Sequence, residues 1–143
     1  MKIVSLAVSK KKGTKKLTTA EVVLQADHGI KGDAHAGKGH RQVSLLAYES
    51  IERARRRGLD VSFGDFAENI ATIGIDWPSV EIGSRWRLGE SVVVEITQIG
   101  KVCHKPCAIY YSSGGCIMPR EGVFARVLRG GKLRCGDSIA RLR

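Results

Sequence analysis

The chain has 143 residues, which is the length of a single domain that buries enough apolar surface for its own core. An apolar fraction of 43% with a charged fraction of 27% excludes a disordered or fibrous protein, and a net charge of +10 favours anionic partners, namely phosphorylated cofactors, nucleic acid or an acidic protein. The sequence shows no secretory signal and no membrane-spanning run, so we expect a cytoplasmic protein whose four cysteines are thiols, metal ligands or catalytic groups rather than structural disulfides.

Alternating apolar and polar residues, many of them β-branched, predict strands along most of the chain. Residues 2–9 and 18–27 flank the lysine-rich stretch KKKGTKK and are expected to form a hairpin. Residues 79–89 and 90–100 repeat the pattern between glycines, and residues 132–143 are predicted to end the chain in another short strand pair. Strands are therefore expected to dominate the fold.

Two stretches are interpreted as helices. Residues 44–58 place apolar side chains at helical spacing, carry basic residues in the last turn and stop at Gly58, a suitable residue just beyond a helix end. Residues 119–131 begin with proline, end in glycine and set four apolar side chains on one helical face: Val123, Phe124, Val127 and Leu128. We expect both helices to pack on a sheet or barrel.

Residues 27–46, between a predicted strand and a predicted helix, are rich in glycine, histidine and aspartate. Glycine permits positive φ and close approach of a ligand, so this loop suits an anionic or metal-containing guest. Asp33 and His35, with His28 and His40 nearby, are candidate metal ligands, although no recognised zinc spacing is present. The alternative is a loop held together by its own hydrogen bonds.

Two further polar stretches have both a structural and a functional interpretation. In residues 63–70, Asp65, Glu68 and Asn69 stand among apolar residues, so they either tie loops together or contact a ligand. The lysines of KKKGTKK form either a solvated turn or a phosphate-binding group: Lys10, Lys11, Lys12, Lys15 and Lys16.

Residues 100–116, GKVCHKPCAIYYSSGGC, hold three of the four cysteines. Structural zinc needs two ligand pairs of short spacing, and only Cys103 and Cys107 form such a pair. Zinc bound by all four cysteines is therefore weakly indicated, and a mixed site is an alternative that uses Cys103, His104, Cys107 and Cys116.

A reactive thiol has a clearer physical basis in this segment. Lys101, His104 and Lys105 flank the cysteines, and positive charge stabilises the thiolate, which attacks sulfur or binds a soft metal. Because Pro106 fixes the backbone just before it, Cys107 is the first candidate for the functional thiol.

The other two cysteines receive different interpretations. Cys116 lies in the glycine-containing stretch SSGGC and is a candidate resolving thiol that swings towards Cys107. Cys135, beside Gly136, is interpreted as a small core residue in a strand.

Four stretches together resemble one known family: GIKGDAHAG…HRQVSLL, GDFAENI, IGSRWRLGESVVVEITQIGKVCHKPC and CIMPREGVFARVLRGGKLRCGD. The sequence is similar to the MOSC domain, named after the C-terminal domain of molybdenum cofactor sulfurases, in its short stand-alone form. The resemblance runs in order through nearly the whole chain. It implies a mainly β fold, a MOSC-like β-barrel with two or three short α-helices, and a single MOSC-like domain over residues 1–143.

The resemblance also implies a function. Members of the family are regarded as carriers of sulfur, held as a cysteine persulfide and received from a pyridoxal-phosphate cysteine desulfurase, or as proteins that bind the molybdenum cofactor through a thiolate. The family's cysteine maps to Cys107, which is then also the candidate molybdenum ligand. Cys103 lies where some relatives carry a second cysteine, and the two positions can be exchanged in the alignment.

This interpretation assigns a role to each candidate residue. The catalytic candidates are Cys107, Cys103 and Cys116. Contact with the molybdenum cofactor is expected from a larger group: Gly32, Asp33, His35, Gly37, Arg41, Glu68, Asn69, Lys101, His104 and Arg120. The chain itself is not expected to bind pyridoxal phosphate, because no lysine context favours a Schiff base.

Partners follow from the same interpretation. A cysteine desulfurase is expected as the sulfur donor, and a molybdoenzyme or a cofactor-biosynthesis protein as the acceptor. The alternatives are a structural zinc protein, a molybdenum-dependent reductase acting with partners, and a basic nucleic-acid-binding module. Few aromatic residues and no recognised motif argue against the nucleic-acid module.

Overall fold

The computed structural model of the chain describes residues 1–100 and 117–143. Strands dominate this part of the chain, so the prediction of a mainly β fold is confirmed. In chain order the strands are β1 (Lys2–Val8), β2 (Leu17–Thr19), β3 (Glu21–Gln25), β4 (Gly29–Ile30), β5 (Val43–Ala47), β6 (Ile70–Ile73), β7 (Arg85–Leu88), β8 (Val92–Ile99), β9 (Val123–Arg129), β10 (Gly131–Arg134) and β11 (Ile139–Leu142).

Helices contribute little to the described residues. Helix α1 (Tyr48–Arg56) has nine residues, α2 (Met118–Glu121) has four, and a single 3-10 turn covers Trp77–Ser79. None of the helices in the described part of the chain has the length and apolar character needed to cross a membrane.

The described strands form two sheets. The larger has eight strands in the order β11-β7-β8-β9-β5-β6-β1-β2, and the smaller has the order β10-β3-β4. All pairs in the larger sheet are antiparallel except β5 with β6, which run parallel and are joined through α1. The predicted hairpin exists between β1 and β2, but residues 18–27 divide into two strands, and β3 belongs to the smaller sheet.

The beginning of β1 lies against the residues that precede β11. An isolated bridge joins Lys2 to Ser138, and the Ile3 N–H donates to the Asp137 carbonyl oxygen at 2.8 Å. Among the described residues no continuous ladder follows from this bridge, so the larger sheet is not closed into a barrel. The barrel stays a prediction.

Two apolar clusters stabilise the sheets from opposite sides. The larger cluster draws side chains from nearly every strand and includes Trp77 and Trp86, whose rings meet edge to face at 5.1 Å. The smaller cluster lies under α1, where Ile51 and Ala54 of the helix join Phe124 of β9 and Phe66. Burial on both sides explains why β5 is buried at all five positions.

The second predicted helix is wrong. Only α2 at its start is helical, and most of the stretch is β9, which pairs with both β5 and β8. The apolar spacing was ambiguous because the beginning of β9 is buried on both faces: Val123 and Ala125 join the larger cluster and Phe124 joins the smaller one.

The first helix and the remaining strands differ less from their predicted positions and pairings. The first helix begins at Tyr48 rather than at residue 44, because Val43–Ala47 form strand β5. Both strands predicted within residues 132–143 exist, but they do not pair with each other: β10 pairs with β3 and β11 pairs with β7. Strand β6 lay unrecognised directly after the polar stretch that ends at Asn69.

Asn69 joins three strands of the larger sheet. Its Oδ1 accepts hydrogen bonds from the backbone N–H and the hydroxyl of Ser44 in β5, at 3.0 and 3.2 Å. Its Nδ2 donates to the carbonyl oxygen of Ala7 in β1 at 3.1 Å. Asn69 is 1% exposed and directly precedes β6, so its side chain satisfies backbone groups that water does not reach. This favours the structural interpretation of the residue.

Removing this amide should destabilise the fold. Asn69→Ala leaves the Ser44 N–H and the Ala7 carbonyl oxygen buried without these partners, and we expect the free energy of unfolding to fall by about 2 to 4 kcal/mol. Urea unfolding followed by tryptophan fluorescence measures the change. The control Ser62→Ala alters an exposed hydroxyl and should stay within about 0.5 kcal/mol; equal effects of the two substitutions would contradict the assignment.

Candidate functional site

The candidate site lies where β8 leads into the cysteine-bearing segment. The backbone N–H of Gly100, just after β8, donates to the carbonyl oxygen of Gly122, just before β9, at 2.7 Å. The chain therefore leaves the sheet and returns to it at one point. Five candidate residues lie outside the described residues, and their roles stay predictions: Lys101, Cys103, His104, Cys107 and Cys116.

Gln98 anchors the glycine-rich loop to this end of β8. Its Oε1 lies 3.0 Å from the His40 Nε2 and accepts a hydrogen bond from the Arg41 Nε at 2.9 Å. Its Nε2 donates to the carbonyl oxygen of Gly100 at 2.7 Å. The hydroxyl of Thr97 adds a hydrogen bond to the carbonyl oxygen of His40. One side chain thus connects two basic residues to the backbone that enters the cysteine segment.

Arg41 is held from a second side. Its guanidinium carbon lies 5.4 Å from the ring centroid of Phe124, a cation–π distance. The Nε is used by Gln98, whereas within residues 1–100 and 117–143 no protein acceptor is found for the two terminal nitrogens. Arg41 is exposed and oriented by its contacts, which is the arrangement that binds an anion at little entropic cost.

Asp33 has an internal role in the same loop. Its Oδ1 accepts a hydrogen bond from the Lys16 Nζ at 2.8 Å and from the Ser9 N–H at 3.0 Å, and its Oδ2 accepts from the His35 N–H at 3.1 Å. The side chains of Asp33 and Lys16 are both fully buried. Burial alone would raise the pKa of Asp33, but the hydrogen bonds from Lys16 and Ser9 and the charge of Lys16 outweigh it and lower that pKa.

The remaining candidates in the loop surround this ion pair. His35 is partly buried, with its Nδ1 3.8 Å from the Asp33 Oδ2. Gly32 has a φ of 86°, and Gly37 has a φ of 146°, with open space where a side chain would begin. Glycine is therefore needed at Gly32 for its backbone conformation. The hydrogen-bonded interpretation of the loop is the one the described geometry favours.

Glu68 also faces inward. Its carboxylate accepts hydrogen bonds from the backbone N–H groups of Gly64, at 2.5 Å, and Phe66, at 3.2 Å. Burial raises the pKa of Glu68 to about 7; these N–H groups oppose the shift and the charge of Asp65 adds to it. A side chain 1% exposed with two backbone partners ties a loop together rather than facing a ligand.

Gly64 links this loop to the buried ion pair. Its carbonyl oxygen accepts the Lys16 N–H at 2.8 Å, and a Cβ on Gly64 would lie 2.1 Å from the Lys16 carbonyl oxygen. Glycine is therefore required for this close approach. Of the lysines in KKKGTKK, Lys16 is thus used internally and Lys15 lies 3.9 Å from Asp65. Lys10, Lys11 and Lys12 are exposed, as is Lys15.

The metal interpretation of the loop gains no support here. Across residues 1–100 and 117–143, no three His, Cys, Asp or Glu side chains are grouped so as to hold an ion. His40 instead contacts Gln98, and Asp33 contacts Lys16. A metal bound by residues 101–116 is outside what this observation covers.

Arg120 and Cys135 complete the candidates. Arg120 is exposed in α2, the helix that follows the cysteine segment, and α2 is connected to α1 by the ion pair of Glu121 with Arg53 at 2.7 Å. The interpretation of Cys135 as a core residue is wrong. It is an exposed free thiol, because β10 ends at Arg134 and the chain turns there, with Asp137 accepting the Arg134 N–H.

Sequence comparison identifies the family. A sequence model of the MOSC domain matches residues 32–140, which is most of the chain. The chain belongs to the MOSC domain family. The family resemblance noted from the sequence motifs is thereby confirmed. A comparison with curated proteins gave no match.

Solved structures share the fold of this MOSC domain. The YUAD protein from Bacillus subtilis superposes with a TM-score of 0.79 at 19% identity, covering 96% of this chain and 93% of that chain. YiiM from Geobacillus stearothermophilus gives 0.74 at 21% identity, covering 99% and 75%. YiiM from Escherichia coli gives 0.71 at 20% identity, covering 100% and 70%. At these identities the likeness shows the fold alone.

Sequence reasoning missed Gln98. The signal available was a long polar amide near the end of a strand that is mainly apolar, VVVEITQI. Its partners, His40 and Arg41, lie nearly sixty positions earlier, so only the pairing of distant segments reveals the contact.

Breaking the buried ion pair should destabilise the loop and the fold together. Lys16→Met leaves the Asp33 carboxylate buried without its cation, and we expect the free energy of unfolding to fall by about 3 to 5 kcal/mol. Adding Asp33→Asn should recover part of the loss, because the amide carries no charge. Urea unfolding of both variants measures this. The exposed control Lys12→Met should change the value by less than about 0.5 kcal/mol, and an equally small effect of Lys16→Met would refute the argument.

Glu68 should make stability depend on pH. Its pKa is about 7 when folded and near the ordinary 4.5 when unfolded, so the folded protein binds more protons between these values. The free energy of unfolding should therefore fall as the pH rises from 4.5 to 7, by about 3 kcal/mol at most. Urea unfolding at pH 5, 6, 7 and 8 tests this. Glu68→Gln should flatten the slope and the exposed control Glu90→Gln should not; an unchanged slope in Glu68→Gln would show that another group is responsible.

Proposed function

We propose that this MOSC domain carries sulfur in the cytoplasm as a persulfide on Cys107. The supporting observation is the anchoring of His40 and Arg41 to Gln98, two residues before Gly100. This arrangement fixes an exposed cation beside the backbone that enters the cysteine segment. No other described part of the chain combines an oriented, exposed arginine with direct continuity to the thiols.

Positive charge is what a persulfide carrier requires. The thiolate is the nucleophilic form of cysteine, and neighbouring cations favour it over the thiol. Lys101 and His104 of the segment add to the charge of Arg41 by their place in the sequence. The persulfide is itself an anion at neutral pH, so the same cations stabilise the loaded state.

Sulfur transfer at this thiol is a simple exchange. The Cys107 thiolate attacks the terminal sulfur of a donor persulfide, a new S–S bond forms, and the donor cysteine leaves as a thiolate. Electrons balance without an added oxidant or reductant. The proposed donor is a pyridoxal-phosphate cysteine desulfurase, and the proposed acceptor is a molybdoenzyme or a cofactor-biosynthesis protein.

Binding of the molybdenum cofactor is the second candidate function. Among the described residues, Arg41 is suited to bind the phosphate of this cofactor. It is exposed, and two of its nitrogens have no protein acceptor in that part of the chain. Asp33, Glu68 and Asn69 do not fit as contacts, since their side chains are buried and hydrogen-bonded internally. The cofactor would supply redox-active molybdenum, for which the soft sulfur of Cys107 is a suitable ligand.

A closed β-barrel is part of the same proposal. The bridge between Lys2 and Ser138, with the Ile139 N–H donating to the Met1 carbonyl oxygen at 3.1 Å, supports closure between β1 and β11. A barrel would remove the free edges at that point and give the site a rigid base.

Persulfide formation should depend on one thiol. All variants are made with Cys135→Ser, because Cys135 is exposed and would react with any sulfur donor. After anaerobic incubation with inorganic polysulfide, intact mass should show a gain of one sulfur that a reductant removes. We expect Cys107→Ser to abolish the gain, and Cys103→Ser and Cys116→Ser to keep it.

The outcomes separate the candidates. A gain that persists in Cys107→Ser but disappears in Cys103→Ser would move the carrier role to the neighbouring cysteine. A protein that gains no sulfur but retains molybdenum, lost in Cys107→Ser, would favour cofactor binding. Stoichiometric zinc whose removal by a chelator unfolds the protein would contradict both candidates.

A further inference from the structure

Strand β9 brings the anchored Arg41 and a further cation, Arg126, together on one face. Val123, Ala125 and Val127 point into the larger apolar cluster. Phe124 and Arg126 alternate with them and therefore lie on the other side of the sheet, where Phe124 is buried in the smaller cluster and Arg126 is exposed. Since Arg41 lies over the Phe124 ring, Arg41 and Arg126 are on the same side of the sheet.

The neighbouring strands extend this surface. Across β8, Glu95 pairs with Arg126 on one side and with Arg85 of β7 on the other. Val93 pairs in the same way with Arg129 and Arg87. Directly paired residues lie on the same side of a sheet, so two rows of arginines flank β8. We call this surface the arginine face; its cations are Arg41, Arg85, Arg87, Arg126 and Arg129.

The arginine face is uncovered in the described structure. Helix α1 packs on β5 and β6, and its apolar cluster reaches only as far as Phe124 at the start of β9. In the described ranges the two α-helices pack mainly on β5, β6 and the 3-10 turn rather than on β7 or the Arg126 end of β9. Arg85, Arg87, Arg126 and Arg129 are all exposed. Beside Arg85, a cavity of about 680 Å³ adds a concave edge and is lined by Gly83, Ser84, Arg85, Arg141, Leu142 and Arg143.

The composition of the face favours a protein partner over nucleic acid. Arginine is enriched at protein interfaces, and here it surrounds the half-buried Val93, which offers apolar contact. Glu95 lies between the rows and pairs with Arg126 at 3.3 Å, so the cations do not form the uninterrupted positive track that a nucleic-acid backbone follows. None of the residues of the face is an exposed aromatic on which a base could stack.

We propose that the arginine face is a docking surface for a protein with a carboxylate-rich surface. Charge complementarity selects this occupant: four arginines on β7 and β9, with Arg41 just before β5, surround one carboxylate, Glu95, in the described part of the face. The face ends at Gln98, next to Gly100, so a protein docked on it lies beside the entry to the cysteine segment. One step rests on the proposed function: the docked protein is the one that exchanges sulfur with the domain.

The test compares two charge reversals of equal size. Arg85→Glu with Arg87→Glu alters the arginine face, and Arg56→Glu with Arg57→Glu alters two exposed arginines at the end of α1. The probe is fluorescent poly-L-glutamate, and binding is followed by anisotropy at low salt. We expect the face variant to bind at least about tenfold more weakly than wild type and the α1 variant to stay within about twofold. Circular dichroism checks the fold, and Arg85→Gln with Arg87→Gln replaces the reversal if it fails to fold.

Three results would overturn the proposal. The first is equal weakening by the two reversals, which would mean that net charge alone attracts the probe. The second is no binding of poly-L-glutamate to wild type. The third is tighter binding of a duplex DNA oligonucleotide with the same dependence on Arg85 and Arg87, which would assign the face to nucleic acid.

A parallel measurement keeps this test separate from the proposed function. Inorganic polysulfide needs no docking, so the face variant should gain sulfur at Cys107 as wild type does. If every protein fails to gain sulfur while the difference in poly-L-glutamate binding persists, the carrier function is wrong and the docking surface stands. If sulfur loads normally but the two reversals bind alike, the docking surface is wrong and the carrier function is unaffected.

Discussion

The side-chain amide of Gln98 is the contact on which the candidate site depends. An amide has both an acceptor and a donor, so a single residue can hold two basic side chains through its oxygen and the Gly100 carbonyl through its nitrogen. Without it, Arg41 would keep only its contact with Phe124 and would lose its direction. The glycine-rich loop is therefore held at the end of β8 by Gln98, with Thr97 adding one hydrogen bond to the backbone of His40.

A buried polar network holds the rest of the glycine-rich loop in place. The Lys16 and Asp33 pair anchors one end of the loop, and Gly64 connects the pair to the loop that Glu68 holds. Burying two charges is costly unless they are paired and hydrogen-bonded, and here the carboxylate has two backbone N–H donors besides its cation. The acidic residues that are ligand candidates in the sequence therefore serve to fix the loop.

The fold was predictable where one face of a strand is buried and the other is not. In β3 and β7 the described burial alternates residue by residue, and alternation was the signal that predicted them. The signal failed at β5 and at the start of β9, where both faces are buried and apolar residues run together. A helix and a doubly buried strand then give the same pattern, and the sequence contains nothing local that separates them.

The site was predictable in its chemistry but not in its geometry. Composition shows that the chain is basic. The concentration of positive charge on one face, however, follows from the pairing of β7, β8 and β9, and β9 begins more than twenty residues after β8 ends. Alternation assigns Arg126 to a face only once residues 123–129 are known to be a strand. When they are interpreted as a helix, as the apolar spacing suggested, Arg126 is placed on the opposite side from Phe124 and the arginine face does not exist. The error in one element therefore conceals the surface that adjoins the site, because a charge pattern has meaning only on the correct backbone period.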